Sequence, residues 1–318
     1  MTRQDTLSPD GPVRFSDPDV TAKGEPRASV PLMGATTLWF NTGTLCNIEC
    51  LRCYIESSPS NDRLVYITRV EVEDFLAQIE DRAWPVREIG FTGGEPFMNP
   101  QMIGMAEASL EAGHDCLILT NAMKPLMRPA MQAGVASLRK RFGERLTLRV
   151  SLDHWSAEKH DEERGAGAFA VALAGMRWLR DQGVRMGVAG RTLWGETDAE
   201  SRAGYARLFE AEGFDIDAAD PGVCVLFPEM DETAEVPEIT TACWGILGKR
   251  PKDIMCATSR MVVKRKGAPR PTVLSCTLLP YDPQFEMGET LEAAEAPVKL
   301  NHPHCAKFCV LGGASCSA

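Results

Sequence analysis

No stretch of this chain is long and apolar enough to cross a bilayer. The opening MTRQDTLSPDGPVRFSDPDVTAKGEPR is polar and rich in Pro and Gly, so it lacks the apolar core of a signal peptide. The expectation is a soluble, cytoplasmic chain with no membrane partner. An excess of positive charge is missing as well. The 34 Lys and Arg against 44 Asp and Glu leave a net charge of −10, which argues against a nucleic-acid partner because phosphate binding needs a basic face. The signature of disorder is also lacking: hydrophobic residues make up 44% and charged residues 25%, ordinary values for a chain that buries a core.

Cysteine, by contrast, is plentiful, with eleven residues. A reducing compartment argues against disulfides, and the clustering of the cysteines suggests metal ligation. One group is Cys46, Cys50 and Cys53; the other is Cys243, Cys256, Cys276, Cys305, Cys309 and Cys316. Cys116 and Cys224 stand apart inside apolar runs and read as small buried hydrophobes. Charge is uneven too: residues 240–318 carry ten Lys and Arg against six Asp and Glu. The basic group Lys264-Arg265-Lys266 reads as the solvated tip of a hairpin rather than a docking patch.

From residue 37 to 227, strand-like and helix-like segments alternate. Thr68-x-x-Glu71 has the capping-box form and opens a helix in which Val72, Phe75, Leu76 and Ile79 share one face. Strands are expected at 37–40, 87–92, 116–120, 146–152, 184–189 and 223–227, with helices at 68–79, 100–112, 125–141, 168–182 and 198–212 between them. Six strands alternating with helices in this way imply parallel strands with right-handed crossovers, in a doubly wound sheet or a partial barrel. In either arrangement, function sits at the carboxyl ends of the strands. Cys46-x3-Cys50-x2-Cys53 follows the first strand, Gly93-Gly94-Glu95-Pro96 the second and Asn121 the third; Asp153 follows the fourth and Arg191 the fifth. Three thiolates can hold three irons of a cubane cluster and leave one iron open. A closed zinc site wants a fourth ligand, which the sequence next to the triplet does not supply.

Beyond residue 237 the alternation stops. Cys256 and Cys276 flank a β-hairpin of strands 261–264 and 272–275, and a weakly patterned segment leads to His302-Pro303-His304-Cys305 and Cys309. So little apolar periodicity implies that a metal site holds this tail together. Residues 1–36 read as an extended or loosely docked arm, 37–236 as the β/α unit and 237–318 as a cysteine-rich extension.

C-x3-C-x2-C after strand one, joined to GGEP after strand two, resembles the radical S-adenosylmethionine (radical SAM) superfamily over residues 37–230. Ser151-Leu152-Asp153 and His160-Asp161-x-x-Arg164-Gly165 are similar to the subgroup with a SPASM or twitch-type C-terminal extension. Tyr54 is a common neighbour of the third cysteine in that subgroup, whereas Arg52 departs from the apolar residue that often precedes it. The resemblance implies an α/β fold, a partial (β/α)6 barrel with a small cysteine-rich extension containing a β-hairpin. It further implies that Cys46, Cys50 and Cys53 ligate a 4Fe–4S cluster whose open iron binds S-adenosylmethionine. Gly93 and Gly94 would pass close to the methionine moiety and Glu95, next to Pro96, would accept from its ammonium. Ser151, Asn121, Asp153, Arg164 and Arg191 would contact ribose or carboxylate. In the tail, Cys256, Cys276, Cys305 and Cys309 would hold an auxiliary 4Fe–4S cluster, with Cys243 spare and Cys316 spare, replacing one of them or serving the substrate. The last pair is C-x3-C rather than the usual C-x2-C, and zinc bound by cysteine with His302 or His304 is the alternative. The implied enzyme abstracts hydrogen from a peptide, protein or small molecule and takes electrons from a reductant such as flavodoxin or ferredoxin. About 36 residues before the first strand are too few for a packed leader-binding domain. The competing class is a non-enzymatic iron–sulfur electron carrier or metal-binding scaffold.

Overall fold

The computed structural model describes residues 13–231 and 233–312. In chain order the elements are β1 (Ser29–Val30), β2 (Thr37–Asn41), α1 (Arg69–Asp81), β3 (Glu88–Thr92), α2 (Met102–Glu111), β4 (Asp115–Thr120), α3 (Pro129–Phe142), β5 (Leu146–Ser151), α4 (Ala157–Arg164), α5 (Ala168–Asp181), β6 (Arg185–Arg191), α6 (Asp198–Glu212), β7 (Cys224–Phe227), α7 (Cys243–Leu247), β8 (Ser259–Val263), β9 (Thr272–Leu274), β10 (Glu286–Gly288) and β11 (Val298–Lys299). A π-helical turn, Cys305–Leu311, follows.

Strands β2 to β7 lie side by side in sequence order, all parallel. A doubly wound sheet would reverse direction at a switch point. This order never reverses, so same-handed crossovers place the helices on one face, as in a partial (β/α)6 barrel. One continuous apolar cluster joins that outer face to the helices: Phe40, Phe91, Ile118, Leu148 and Val188 meet Phe75, Met105, Val135, Met176 and Phe209. Thr68 caps α1 with the complete capping box, its side chain bonding the Glu71 amide while Glu71 returns to the Thr68 amide. The first turn of α1 is therefore fixed by its own side chains.

The other face of the strands points inward. Near β2 it is apolar, with Trp39, Leu117, Leu119, Met261 and Leu274 in one small cluster. A Cβ at Gly90 would stand 2.4 Å from the Trp39 ring, so only glycine lets the indole lie across β3. Towards the carboxyl ends the inner face carries Asn41, Thr92, Ser151 and Arg191 instead.

The hairpin continues this sheet. Its first strand, β8, pairs parallel with β2, and β9 and β10 follow antiparallel, extending the sheet to nine strands. The basic tip is neutralised: Lys264, Arg265 and Lys266 pair with Glu71, Glu286 and Asp62. The described part of the N-terminal arm is firmly docked at 27–30, where β1 pairs with β11 and buried Arg27 bonds Glu238 at 2.5 Å. Two segments depart from the sequence expectation. The third helix begins at Pro129 rather than near 125, and α4 forms where its charge-rich sequence shows no apolar period. Among the described residues no helix is long and apolar enough to cross a membrane.

Candidate active site

The loop after β2 carries the three thiols, and the loop after β3 is stitched to it. The Gly94 amide donates to the Gly43 carbonyl at 2.8 Å and the Glu95 amide to that of Leu45 at 3.2 Å. Gly93 has φ +141°, and a Cβ on Gly94 would stand 2.2 Å from the Leu45 carbonyl oxygen. Both glycines line the cavity, but what forbids their side chains is the backbone of the cysteine loop. The sequence pattern places the pair; only the fold shows this neighbour.

Cys46, Cys50 and Cys53, in the loop after β2, line one cavity together with residues at or just after the ends of β3 to β7: Thr92, Gly93, Gly94, Asn121, Ser151, Asp153, Arg191 and Phe227 among them, with Tyr54. Cys46 is buried, Cys50 and Cys53 half-buried. Burial pushes the Cys46 thiol up to about 12. Asn121 is anchored to the same loop, its side-chain amide donating to Asn47 Oδ1 at 2.9 Å and lying 3.8 Å from Cys46 Sγ.

Glu95 sits behind the wall, 1% exposed. Its carboxylate accepts from the Phe97 amide (3.1 Å), the Thr120 hydroxyl (2.9 Å) and the Asn121 amide (2.8 Å). Burial raises its pKa to about 7 against the pull of these donors. Pro96 opens the short 3-10 turn that Glu95 caps. In this geometry Glu95 holds the β3 and β4 loops in register, and its carboxylate meets three donors of the chain itself.

On the far side, Asp153 and Arg164 form a bidentate pair (2.6 and 3.0 Å), with Arg191 Nε 3.7 Å from Asp153. Burial opposes the charge on Asp153, but Arg164 outweighs it and holds the carboxyl below its ordinary value. His160, one turn before Arg164, accepts from the Asp153 amide through Nδ1 at 3.2 Å. Arg52 forms an ion pair with buried Glu163 of α4, whose carbonyl also accepts from the Leu51 amide at 2.9 Å. Arg191 Nη2 completes the clamp by donating to the Arg52 carbonyl at 2.9 Å. Sequence reading did not find Glu163, since α4 gave no periodic signal; the one available hint was a charged residue, Arg52, between the second and third cysteines.

The remaining wall is apolar and comes partly from the C-terminal region: Phe227 at the end of β7 and Met230 beyond it, Leu278 after Cys276, and Phe308 beside Cys309. Phe227 stacks on Phe308 at 5.7 Å. The tail cysteines share one cluster in which Cys256 and Cys305 are buried and Cys243, Cys276 and Cys309 pack against it. Burial, then the neighbouring Cys276 and Cys256, raise the Cys305 thiol well above its ordinary value. His302 packs edge-on to Phe285 and His304, and its Nδ1 accepts from the His304 amide at 3.1 Å. Cys316 lies outside the described residues.

The first three thiols stand around a common cavity beside a glycine-lined wall, an arrangement that fits ligands to different irons of one cluster.

A profile described as the Radical SAM superfamily matches residues 40–203. The subtilosin biosynthesis protein AlbA of Bacillus subtilis is 29% identical over 189 residues, which is 57% of this chain and 38% of AlbA. The AdoMet-dependent heme synthase of Methanosarcina barkeri is 32% identical over 136 residues, 42% of this chain and 36% of the synthase. The matched stretch thus spans less than two-fifths of either relative. In fold, the chain is similar to Streptococcus suis SuiB bound to S-adenosylmethionine, with a TM-score of 0.58 at 14% identity over 80% of this chain and 63% of SuiB.

Proposed function

The chain belongs to the radical SAM superfamily, and from that premise we propose that it cleaves S-adenosylmethionine reductively and abstracts hydrogen from a peptide or small-molecule substrate. Cys46, Cys50 and Cys53 would hold a 4Fe–4S cluster that, when bound, supplies the electron and the open coordination position for this cleavage. The observation that carries the reading is the single cavity that collects the three thiols, the Gly93-Gly94 wall and the carboxyl ends of β3 to β7.

Within that cavity the chain's own groups divide the work. Gly93 and Gly94 leave a wall without side chains against which a flexible cosubstrate can lie. Ser151, Asn121 and Arg191, which line the same cavity, offer hydrogen-bond partners for ribose and carboxylate. Asp153 keeps Arg164 and Arg191 oriented through its ion pairs. Phe227, Met230, Leu278 and Phe308 form an apolar wall that excludes water from the cavity, where a reactive intermediate must be shielded.

Cys256, Cys276, Cys305 and Cys309 are the proposed ligands of an auxiliary 4Fe–4S cluster, supported by their common cluster beside the cavity wall. AlbA, named for bacteriocin biosynthesis, supports a peptide substrate, while the heme synthase supports a small molecule. A flavodoxin or ferredoxin is the proposed reductant. Anaerobically reconstituted, dithionite-reduced protein given S-adenosylmethionine should release 5′-deoxyadenosine, and a variant with Cys46, Cys50 and Cys53 all changed to Ala should release none. No nucleoside from the loaded wild-type chain would favour an electron carrier or scaffold instead.

A further inference from the structure

Ser57 lies four residues after Cys53 and is 3% exposed. Its amide donates to Cys53 Sγ at 3.3 Å. Its hydroxyl is buried and has no hydrogen-bond partner among the described residues, and Ser57 lines the same cavity as the three thiols. The next residue offers a contrast. Ser58 Oγ accepts from the amides of Ser60 and Asn61 at 3.3 and 3.0 Å and so builds the following turn. Ser57 builds nothing with its oxygen. A buried hydroxyl left unbonded destabilises a fold, and native chains rarely keep one without a use for it.

We propose that the Ser57 hydroxyl donates a hydrogen bond to a sulfur of the iron–sulfur cluster held by Cys46, Cys50 and Cys53, and thereby raises its reduction potential. The inference rests on the cluster reading of the triplet. The acceptor follows from position: the amide of the same residue already addresses the Cys53 sulfur, and the hydroxyl leaves the same short turn. Sulfur in such a cluster carries negative charge, which makes the bond charge-assisted. Reduction adds more negative charge, so the donor favours the reduced state. Ser57 is a positioning and tuning residue, outside the ligand set.

The test uses the full chain, reconstituted anaerobically, as wild type, Ser57→Ala and Ser57→Thr. An EPR-monitored redox titration follows the signal that changes when S-adenosylmethionine is added, which separates this cluster from any in the tail. The expected result is a more negative midpoint in Ser57→Ala and a wild-type midpoint in Ser57→Thr. The iron-free Ser57→Ala protein should melt at or above the wild-type temperature, because it loses a polar group that has no partner without the cluster. Equal midpoints in wild type and Ser57→Ala would overturn the proposal, as would a lower melting temperature of the iron-free variant, which would mark a purely structural hydroxyl. Should Ser57→Ala load no cluster, restored loading in Ser57→Thr assigns the loss to the hydroxyl, and loss in both overturns it. A wild-type chain without any signal responsive to S-adenosylmethionine defeats the reading of the triplet and this proposal together. A responsive signal with unshifted midpoints defeats the Ser57 assignment alone.

Discussion

Gly94 shows how tightly single residues are constrained at this site. Its hydrogen-for-methyl space is taken by the Leu45 carbonyl at 2.2 Å, which is backbone and has little freedom to yield. Gly94→Ala should therefore push the cysteine loop off the β3 loop, costing about 1–3 kcal/mol in urea unfolding and lowering iron content per chain. His160 gives a prediction in pH. Burial, then the Arg164 guanidinium, lower its pKa from 6.5 to about 4. Between those values the unfolded chain binds the proton and the folded chain does not, so stability falls as pH drops from 6.5 towards 4. The loss attributable to His160 is on the order of 2–3 kcal/mol. His114, His154 and His304 are lowered too and act in the same direction. His160→Gln should flatten the slope of unfolding free energy against pH in that window without abolishing it; an unchanged slope would show that His160 does not carry the effect.

At the scale of elements, α4 is the piece that ties the cysteine loop to the barrel. The Leu51 amide bonds the Glu163 carbonyl, the Arg52 side chain pairs with the Glu163 carboxylate, and Arg191 reaches the Arg52 carbonyl. Glu163 is 2% exposed while the Arg52 side chain is 41% exposed, so solvent screens one end of the pair. Arg52→Ala, which leaves a buried carboxylate without its cation, should cost about 1–2 kcal/mol. It should also speed the loss of iron to a chelator, and Arg52→Ala and Glu163→Gln should combine less than additively in both measurements. Beyond the odd charge of Arg52, the pairing with Glu163 was not legible beforehand. Residues 157–164 read AEKHDEER, and a helix without an apolar stripe leaves no period to detect. Helix α1 was legible because Thr68, Glu71 and its apolar face all lie within one short window.

On the scale of the whole molecule, the first cysteine group lines one cavity, and the segments carrying the second group, far away in sequence, supply part of its wall through Leu278 and Phe308. Reconstituted protein should bind about eight irons per chain, falling to about four when Cys46, Cys50 and Cys53 become alanine. If that variant keeps none, the auxiliary cluster assigned to Cys256, Cys276, Cys305 and Cys309 fails. The hairpin between Cys256 and Cys276 joins the barrel sheet through β8 and β2, so the base of the second group is braced by the first barrel strand.

The alternation of strands and helices, the capping box and the spacing of the thiols were determined by the sequence alone, because each is a pattern written over a few consecutive residues. The same holds for placing the triplet, GGEP, Asn121, Asp153 and Arg191 at strand ends, since side-chain chemistry at the close of an apolar run is local information. Only the tertiary structure decided the strand order that makes a partial barrel, the seat of the hairpin beside β2, the Arg52–Glu163 pair and the apolar wall from Phe227 and Phe308. Those depend on contacts between residues distant in the chain, from neighbouring strands such as Glu88 and Asp115 to Thr37 and Ser259, which follow from packing and not from any period in the chain. For the glycine pair the two sources divide cleanly: the motif marked where it stands, and the carbonyls of Gly43 and Leu45 explain why nothing larger fits there.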